Sequence, residues 1–214
     1  MFRKRTPPPG SAAGDFSISE DALPSRVTII SYSEESLQEA CPLSPGHVSL
    51  SEDRVSWIDV QGLGGEMWLR GLAERFNIHP LALADVVNIP QRPKVDVYEN
   101  NLYIVSRMAR FLESGELDVE QLSLVLGPNY VITFQERYGD VFEPVRRRLR
   151  QGGPLRGAAS DFLAYSLLDA VIDAYYPILE EFGEELSEIE DDALEGRNKE
   201  TLRRINTLRR INLH

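Results

Sequence analysis

The side chains best placed to do chemistry in this sequence are carboxylates. Asp169 and Asp173 stand four residues apart in DFLAYSLLDAVIDAYY. In that segment Phe162, Tyr165, Leu168, Ile172 and Tyr176 recur at helical spacing, so the two carboxylates fall on one helix face. Like charges at that spacing are mildly unfavourable, and a cation or a basic partner would remove the penalty. Further on, Glu180 to Glu195 carries nine carboxylates and no Lys or Arg. A solvated helix face accounts for that run, and no single glutamate in it is assigned as a ligand. Such groups suit a hard cation, which takes oxygen ligands. Magnesium-dependent phosphoryl transfer using Asp85, Asp169 and Asp173 would be the catalytic version of that chemistry. Neither a nucleophile motif nor a phosphate cradle accompanies them, so an enzyme is not expected.

Other constellations lead nowhere. VSWIDVQGLGG sets a Gly-rich turn between a strand and a helix, but Met67 occupies the third glycine position of the dinucleotide fingerprint, and no Walker lysine is present. His47, His79 and His214 are scattered without zinc spacing, and His79 is better read as the residue that begins a helix. Cys41, the only cysteine, excludes an internal disulfide and a thiolate cluster and fits a reducing compartment.

The net charge of -11 argues against a nucleic-acid partner, which needs surplus Lys and Arg on the binding face. With 42% hydrophobic residues, the 214-residue chain can bury a core and suits one α/β domain with a helical extension. No stretch reaches the roughly 20 apolar residues of a membrane span, so the chain as given is expected to be soluble.

Several elements must position the carboxylates. Residues 1–23, with PPPGSAAGD, have too little apolar content to order and read as a mobile tail. A mixed-sheet subdomain is expected over 24–157. It comprises strands at RVTIISY and VSWIDV, a short helix at SEESLQEA, and a helix carrying Leu69, Leu72, Ala73 and Phe76 on one face. A short helix begins at His79-Pro80 and runs through Asn88, since proline suits a first turn. KVDVYE and LYIVSRMARF form a hairpin about Asn100-Asn101, with DVEQLSLVLG and YVITFQ extending the sheet. After the helix VFEPVRRRLRQG, a helical extension spans 158–214, with Ser160 as N-cap and Pro177 as a kink. Its acidic part and the basic helix carrying Leu202, Ile205, Leu208 and Ile211 read either as an antiparallel pair or as two solvated charged faces. The pattern is still running at INLH, which predicts a chain cut off in mid-helix. The fold class is therefore α+β or α/β: a mixed β-sheet flanked by helices on both faces, followed by a long antiparallel helix pair.

NIHPLALADVVNIPQRPKV, QERYGDVFEPVRRRLR and DFLAYSLLDAVIDAYY, in that order, resemble the CorA-type magnesium and cobalt transporter family, and the resemblance extends from about Pro24 to the end. It implies the N-terminal cytoplasmic domain of such a channel, before its stalk and membrane helices. The full-length protein would be a homopentamer held at the inner membrane through a further C-terminal segment. Its weakly bound cofactor would be Mg2+, or Co2+, held between subunits so that the closed state is stabilised. A zinc-transporting relative or a freestanding interaction protein with the same fold are the alternatives.

Residue by residue, the resemblance makes Asp85 a metal ligand at the end of the HPL helix, while Ala84 stands where the family has a second acidic residue. It makes Asp169 a secondary contact, with Asp173 one turn on as the third candidate. Sparse carboxylates shared between subunits suit magnesium, which keeps several waters and takes one or two carboxylates.

Overall fold

The computed structural model describes residues 14–112 and 114–194, and the side chains of 192 and 193 are outside that description. Residues 1–13 and the basic segment holding Leu202 to Ile211 also lie outside it, so the second member of the expected helix pair is not among the described residues.

Seven strands form one mixed sheet: β1 (Arg26–Tyr32), β2 (Leu37–Ala40), β3 (Val55–Gln61), β4 (Lys94–Val97), β5 (Leu102–Phe111), β6 (Leu117–Leu126) and β7 (Tyr130–Gln135). Their order is β2-β1-β3-β7-β6-β5-β4. Every neighbouring pair is antiparallel except β3 and β7, which run parallel with Ser56 opposite Tyr130 and Gln61 opposite Gln135. Both faces are covered, which explains why the central strands read as nearly continuous apolar runs. Helices α1 (Glu66–Arg75) and α2 (Pro80–Val87) pack Leu69, Leu72, Leu83 and Val86 against Ile58, Val60, Val125, Ile132 and Phe134. On the other face, α3 (Glu143–Gln151) and α4 (Ser160–Asp173) pack Val145, Leu149, Leu163, Leu167 and Val171 against Trp57, Met108, Leu122, Leu124 and Val131. Consecutive residues Trp57 and Ile58 thus serve opposite cores, as the two-residue period of a strand requires. The final described helix, α5, is Tyr175–Leu194.

The expected mixed sheet with helices on both faces is what forms, with five local corrections. SEESLQEA is not a helix: Ser33 N–H donates to Ser36 O at 2.9 Å, and Leu37–Ala40 returns as strand β2 along β1. Pairing with an existing strand edge overrides the weak helical preference of a short segment. Ser160 does not cap α4. Ala159 holds the N-cap position without a side-chain bond, and the Ser160 hydroxyl donates to Gly127 O at 2.7 Å and Pro128 O at 3.0 Å, tying the helix to the β6–β7 turn. The β4–β5 connection is four residues, closed by Tyr98 N–H to Asn101 O at 2.9 Å, and Asn77 is the only described non-glycine residue at positive φ.

The fourth correction concerns residues 14–23, expected as part of a tail with nothing to pack. They supply Phe16 and Ile18 to the α1–α2 core, and Leu23 O accepts from Gly64 N–H at 2.7 Å. Gly62 and Gly64 permit this close approach, since a Cβ at either would lie within 2.6 Å of a backbone oxygen of residues 22–24. Lastly, contrary to expectation, Ser160–Asp191 is long and apolar enough to cross a membrane by length and composition alone. Its buried residues Leu163, Ala164, Leu167 and Val171 are those that pack on the sheet. The run is interrupted at Ala174, three residues ahead of Pro177. That break places the proline in the first turn of α5, where its missing N–H has no partner to lose.

Candidate functional site

The three candidate carboxylates do not meet in one copy of the chain. Asp85 is on α2, on one face of the sheet, while Asp169 and Asp173 are on α4, on the other. Asp169 is half-buried and Asp173 exposed. Among the described residues no group of three or more His, Cys, Asp or Glu side chains could hold a metal ion.

Asp85 is held in position from both ends of its helix. At the start, His79 is the N-cap, its Nδ1 accepting from Leu81 N–H at 3.2 Å, and its ring stacks on Tyr98 with centroids 4.6 Å apart. This bears out the reading of His79 as a helix-starting residue. At the exit, Gln121 of β6 donates Nε2–H to Asp85 O at 2.9 Å and accepts from Gln91 N–H at 2.7 Å. Gln121 is buried, so this amide clamps the end of α2 to the sheet where no water competes.

The Asp85 carboxylate itself reaches the surface, with 26% of its side chain exposed, and is bound by Lys94 Nζ at 2.6 Å. The same ammonium contacts Asp96 at 2.6 Å. Lys94 and Asp96 are two apart on β4 and therefore share a face. Burial pulls the Lys94 ammonium down, but the bonds to Asp85 and Asp96 outweigh it and leave the group above its ordinary value. The alternation of KVDV is the local sequence signal that sets Lys94 beside Asp96. Ala84 is buried and offers no oxygen, so the acidic pair suggested by the resemblance is reduced here to Asp85.

A second polar cluster, unforeseen from the sequence, lies on the α3–α4 side. Arg146 of α3 donates to Asp59 Oδ2 at 2.8 Å and to Asp140 Oδ2 at 2.6 Å, with its guanidinium 4.9 Å from the centroid of the Trp57 ring. Asp59 Oδ1 accepts from Thr133 Oγ1 at 2.7 Å and Gln135 Nε2 at 2.8 Å, and Gln61 Nε2 bridges Asp59 and Asp140. Burial and the charge of Asp140 push the Asp59 carboxyl up, against the pull of Arg146 and the hydrogen bonds. With these bonds the cluster fastens α3 to the sheet.

Glu120, 1% exposed, differs again. Its Oε2 accepts from Arg137 N–H at 2.9 Å, while Oε1 is buried without a partner. Burial is the main cause pushing this carboxyl up to about 7.

The fold and the sequence both have counterparts. A sequence model described as "CorA-like Mg2+ transporter protein" matches residues 52–214. The chain is 37% identical over 214 residues to the "Cobalt/magnesium transport protein CorA" of Thermotoga maritima, covering 98% of this chain and 60% of that protein. It also superposes with a TM-score of 0.65, at 20% identity, on the soluble domain of CorA from Methanocaldococcus jannaschii, covering 85% of this chain and 70% of that one. The cytoplasmic domain of ZntB from Vibrio parahaemolyticus shares the fold at TM-score 0.59 and 14% identity, over 76% of this chain and 64% of that one. The chain therefore spans about 60% of the Thermotoga relative. With a family match over residues 52–214 and 37% identity to a CorA protein over 98% of its length, the chain belongs to the CorA family.

Proposed function

We propose that this chain is the cytoplasmic, divalent-cation-sensing part of a magnesium or cobalt channel. In this reading identical subunits, five in the full assembly, are tethered to the inner membrane by a further C-terminal segment, and Mg2+ bound between them stabilises the closed state. The observation that carries the reading is the 37% identity to a cobalt/magnesium transport protein over 98% of the chain. Two features of the fold support the placement of the cation. Asp85 presents hard oxygen ligands at a half-exposed surface, which suits an ion that retains most of its water. Asp85 and Asp169 also face away from each other across the sheet, so an ion using both would have to join two copies.

The switching follows from differential affinity. A cation that bridges copies in one arrangement and not in another favours the first by the ratio of its affinities. When the cation leaves, carboxylates on adjacent copies repel and the closed arrangement loosens. Asp85 is the principal ligand, Asp169 the secondary one, and Asp173 a contributor to the local negative field.

The test is a Mg2+ titration of the 214-residue chain, with sedimentation alongside. Weak Mg2+ binding that Asp85→Asn removes, in a chain that does not assemble stably into pentamers, fits the proposal. Tight stoichiometric binding that survives Asp85→Asn and is lost in Asp169→Asn would move the primary site to α4. Metal-dependent turnover of a phosphate ester, abolished by Asp85→Asn, would replace the channel reading with an enzyme.

A further inference from the structure

The Asp85 carboxylate already has a cation, and it belongs to the protein. Lys94 Nζ lies 2.6 Å from Asp85 and 2.6 Å from Asp96, while 35% of the lysine side chain, 26% of Asp85 and 37% of Asp96 are open to solvent. Such a pair differs from the buried Arg146 cluster in one respect that matters. A half-exposed ammonium can leave a carboxylate at small cost because water replaces it, whereas a buried partner cannot.

The geometry points to Lys94 as a built-in competitor for the divalent cation: its ammonium occupies Asp85 when the metal is absent, and withdraws to Asp96 when the metal binds. This inference rests on the proposed role of Asp85. It assigns to Lys94 and Asp96 a part in setting the cation threshold that neither has as a ligand.

Three observations carry it. First, one ammonium is shared by two carboxylates on different elements, α2 and β4, so breaking one contact leaves the other in place. Lys94 therefore has a resting partner on its own strand and need not be expelled into water alone. Second, the Asp85 backbone is pinned by Gln121, so the lysine is the mobile member of the pair: a four-carbon stem with rotatable bonds beside a clamped carboxylate. Third, the exchange balances charge. A hydrated divalent ion arriving at Asp85 would meet an unfavourable ammonium within 3 Å, and moving Lys94 to Asp96 removes that repulsion and leaves Asp96 neutralised.

The consequence is a raised threshold. A carboxylate with a resident counter-ion binds an external cation only as tightly as the difference between the two interactions allows. Removing Lys94 should strengthen Mg2+ binding, in contrast to most surface lysines near a metal site, whose loss changes only the long-range field. Arg92 supplies that comparison, being an exposed cation two residues away.

The experiment titrates Mg2+ into the 214-residue chain at constant ionic strength, following amide signals of α2 and the Lys94 ammonium signal by NMR. Lys94→Met and the second neutral variant Lys94→Gln are each expected to tighten binding roughly fivefold, from the interaction typical of a half-exposed pair, while Arg92→Met changes it less than twofold. In the unsubstituted chain the Lys94 ammonium signal should move with the same midpoint as the α2 amides. Equal effects of Lys94→Met and Arg92→Met, or an ammonium signal that stays still while Asp85-dependent binding proceeds, would overturn the competitor role and leave Asp85 as a ligand. Mg2+ binding that Asp85→Asn leaves unchanged would instead remove the cation from Asp85, and the proposed function and this inference would fall together.

Discussion

Two carboxylate–cation clusters in this molecule use nearly the same chemistry and have opposite consequences. On the α3 side, Asp59 and Asp140 share the Arg146 guanidinium, with side-chain exposures of 6%, 2% and 14%. On the α2 side, Asp85 and Asp96 share the Lys94 ammonium, with exposures of 26%, 37% and 35%. Arginine's planar fork is fixed by several acceptors at once, and lysine's point charge is not. Burial turns the first cluster into a fastening, because an unpartnered charge there has no water to fall back on. Partial exposure leaves the second one exchangeable, which is what a cation-responsive site requires.

The comparison breaks most readily at Arg146. Arg146→Met strands two buried carboxylates and is expected to cost about 4 kcal/mol or to prevent folding, as measured by urea unfolding. A loss below about 1 kcal/mol would mean that burial does not separate the clusters.

Glu120 is an intermediate case, buried without a cation on its carboxylate. Its folded value of about 7 stands above the ordinary 4.5, so its contribution to stability is full below pH 4.5 and is lost as pH rises through 7. Glu120→Gln should therefore stabilise the chain by about 2 kcal/mol at pH 8.5 and by close to nothing at pH 4.5, in parallel urea titrations at the two pH values. A gain that is the same at both would mean the carboxyl does not titrate as its burial implies.

Smaller effects sharpen the contrast. Lys94→Met should change stability by less than about 1 kcal/mol, in line with a half-exposed pair, although it alters Mg2+ binding. Asp173→Asn should be the mildest, shifting the unfolding midpoint by an amount equivalent to less than about 0.5 kcal/mol, because its carboxylate is exposed on α4.

What the sequence made legible follows from where the cause of each feature lies. The strands at RVTIISY, VSWIDV and YVITFQ were readable because both faces of the sheet are buried, which writes a dense β-branched pattern locally. The start of α2 was readable because His79-Pro80 is a local signal. SEESLQEA has the composition of a short helix, but pairing with β1 decides its conformation, and no residue within the segment records that. Ser160 looked like a cap by type, yet its partners Gly127 and Pro128 lie more than thirty positions away. The same distance hid the Arg146 cluster, whose members are drawn from β3, β7, the turn after β7, and α3. Helical spacing alone puts Asp169 and Asp173 on one face and the family resemblance adds Asp85, but the separation of Asp85 from the other two across the sheet depends on the packing of α2 and α4.

The break at Ala174 has a mechanical meaning. Upstream of it α4 is glued along its length to the sheet; downstream, Tyr175 donates its hydroxyl to Arg107 O at 3.0 Å and Ile178 is buried, after which α5 continues for four more turns. Ile189, close to the far end of α5, is buried as well, so the helix is held beyond the joint at Ala174 and not at its base alone. Bending between α4 and α5 would concentrate at residues 174–177, where the helical run is interrupted, for as long as Ile178 and Ile189 keep their packing.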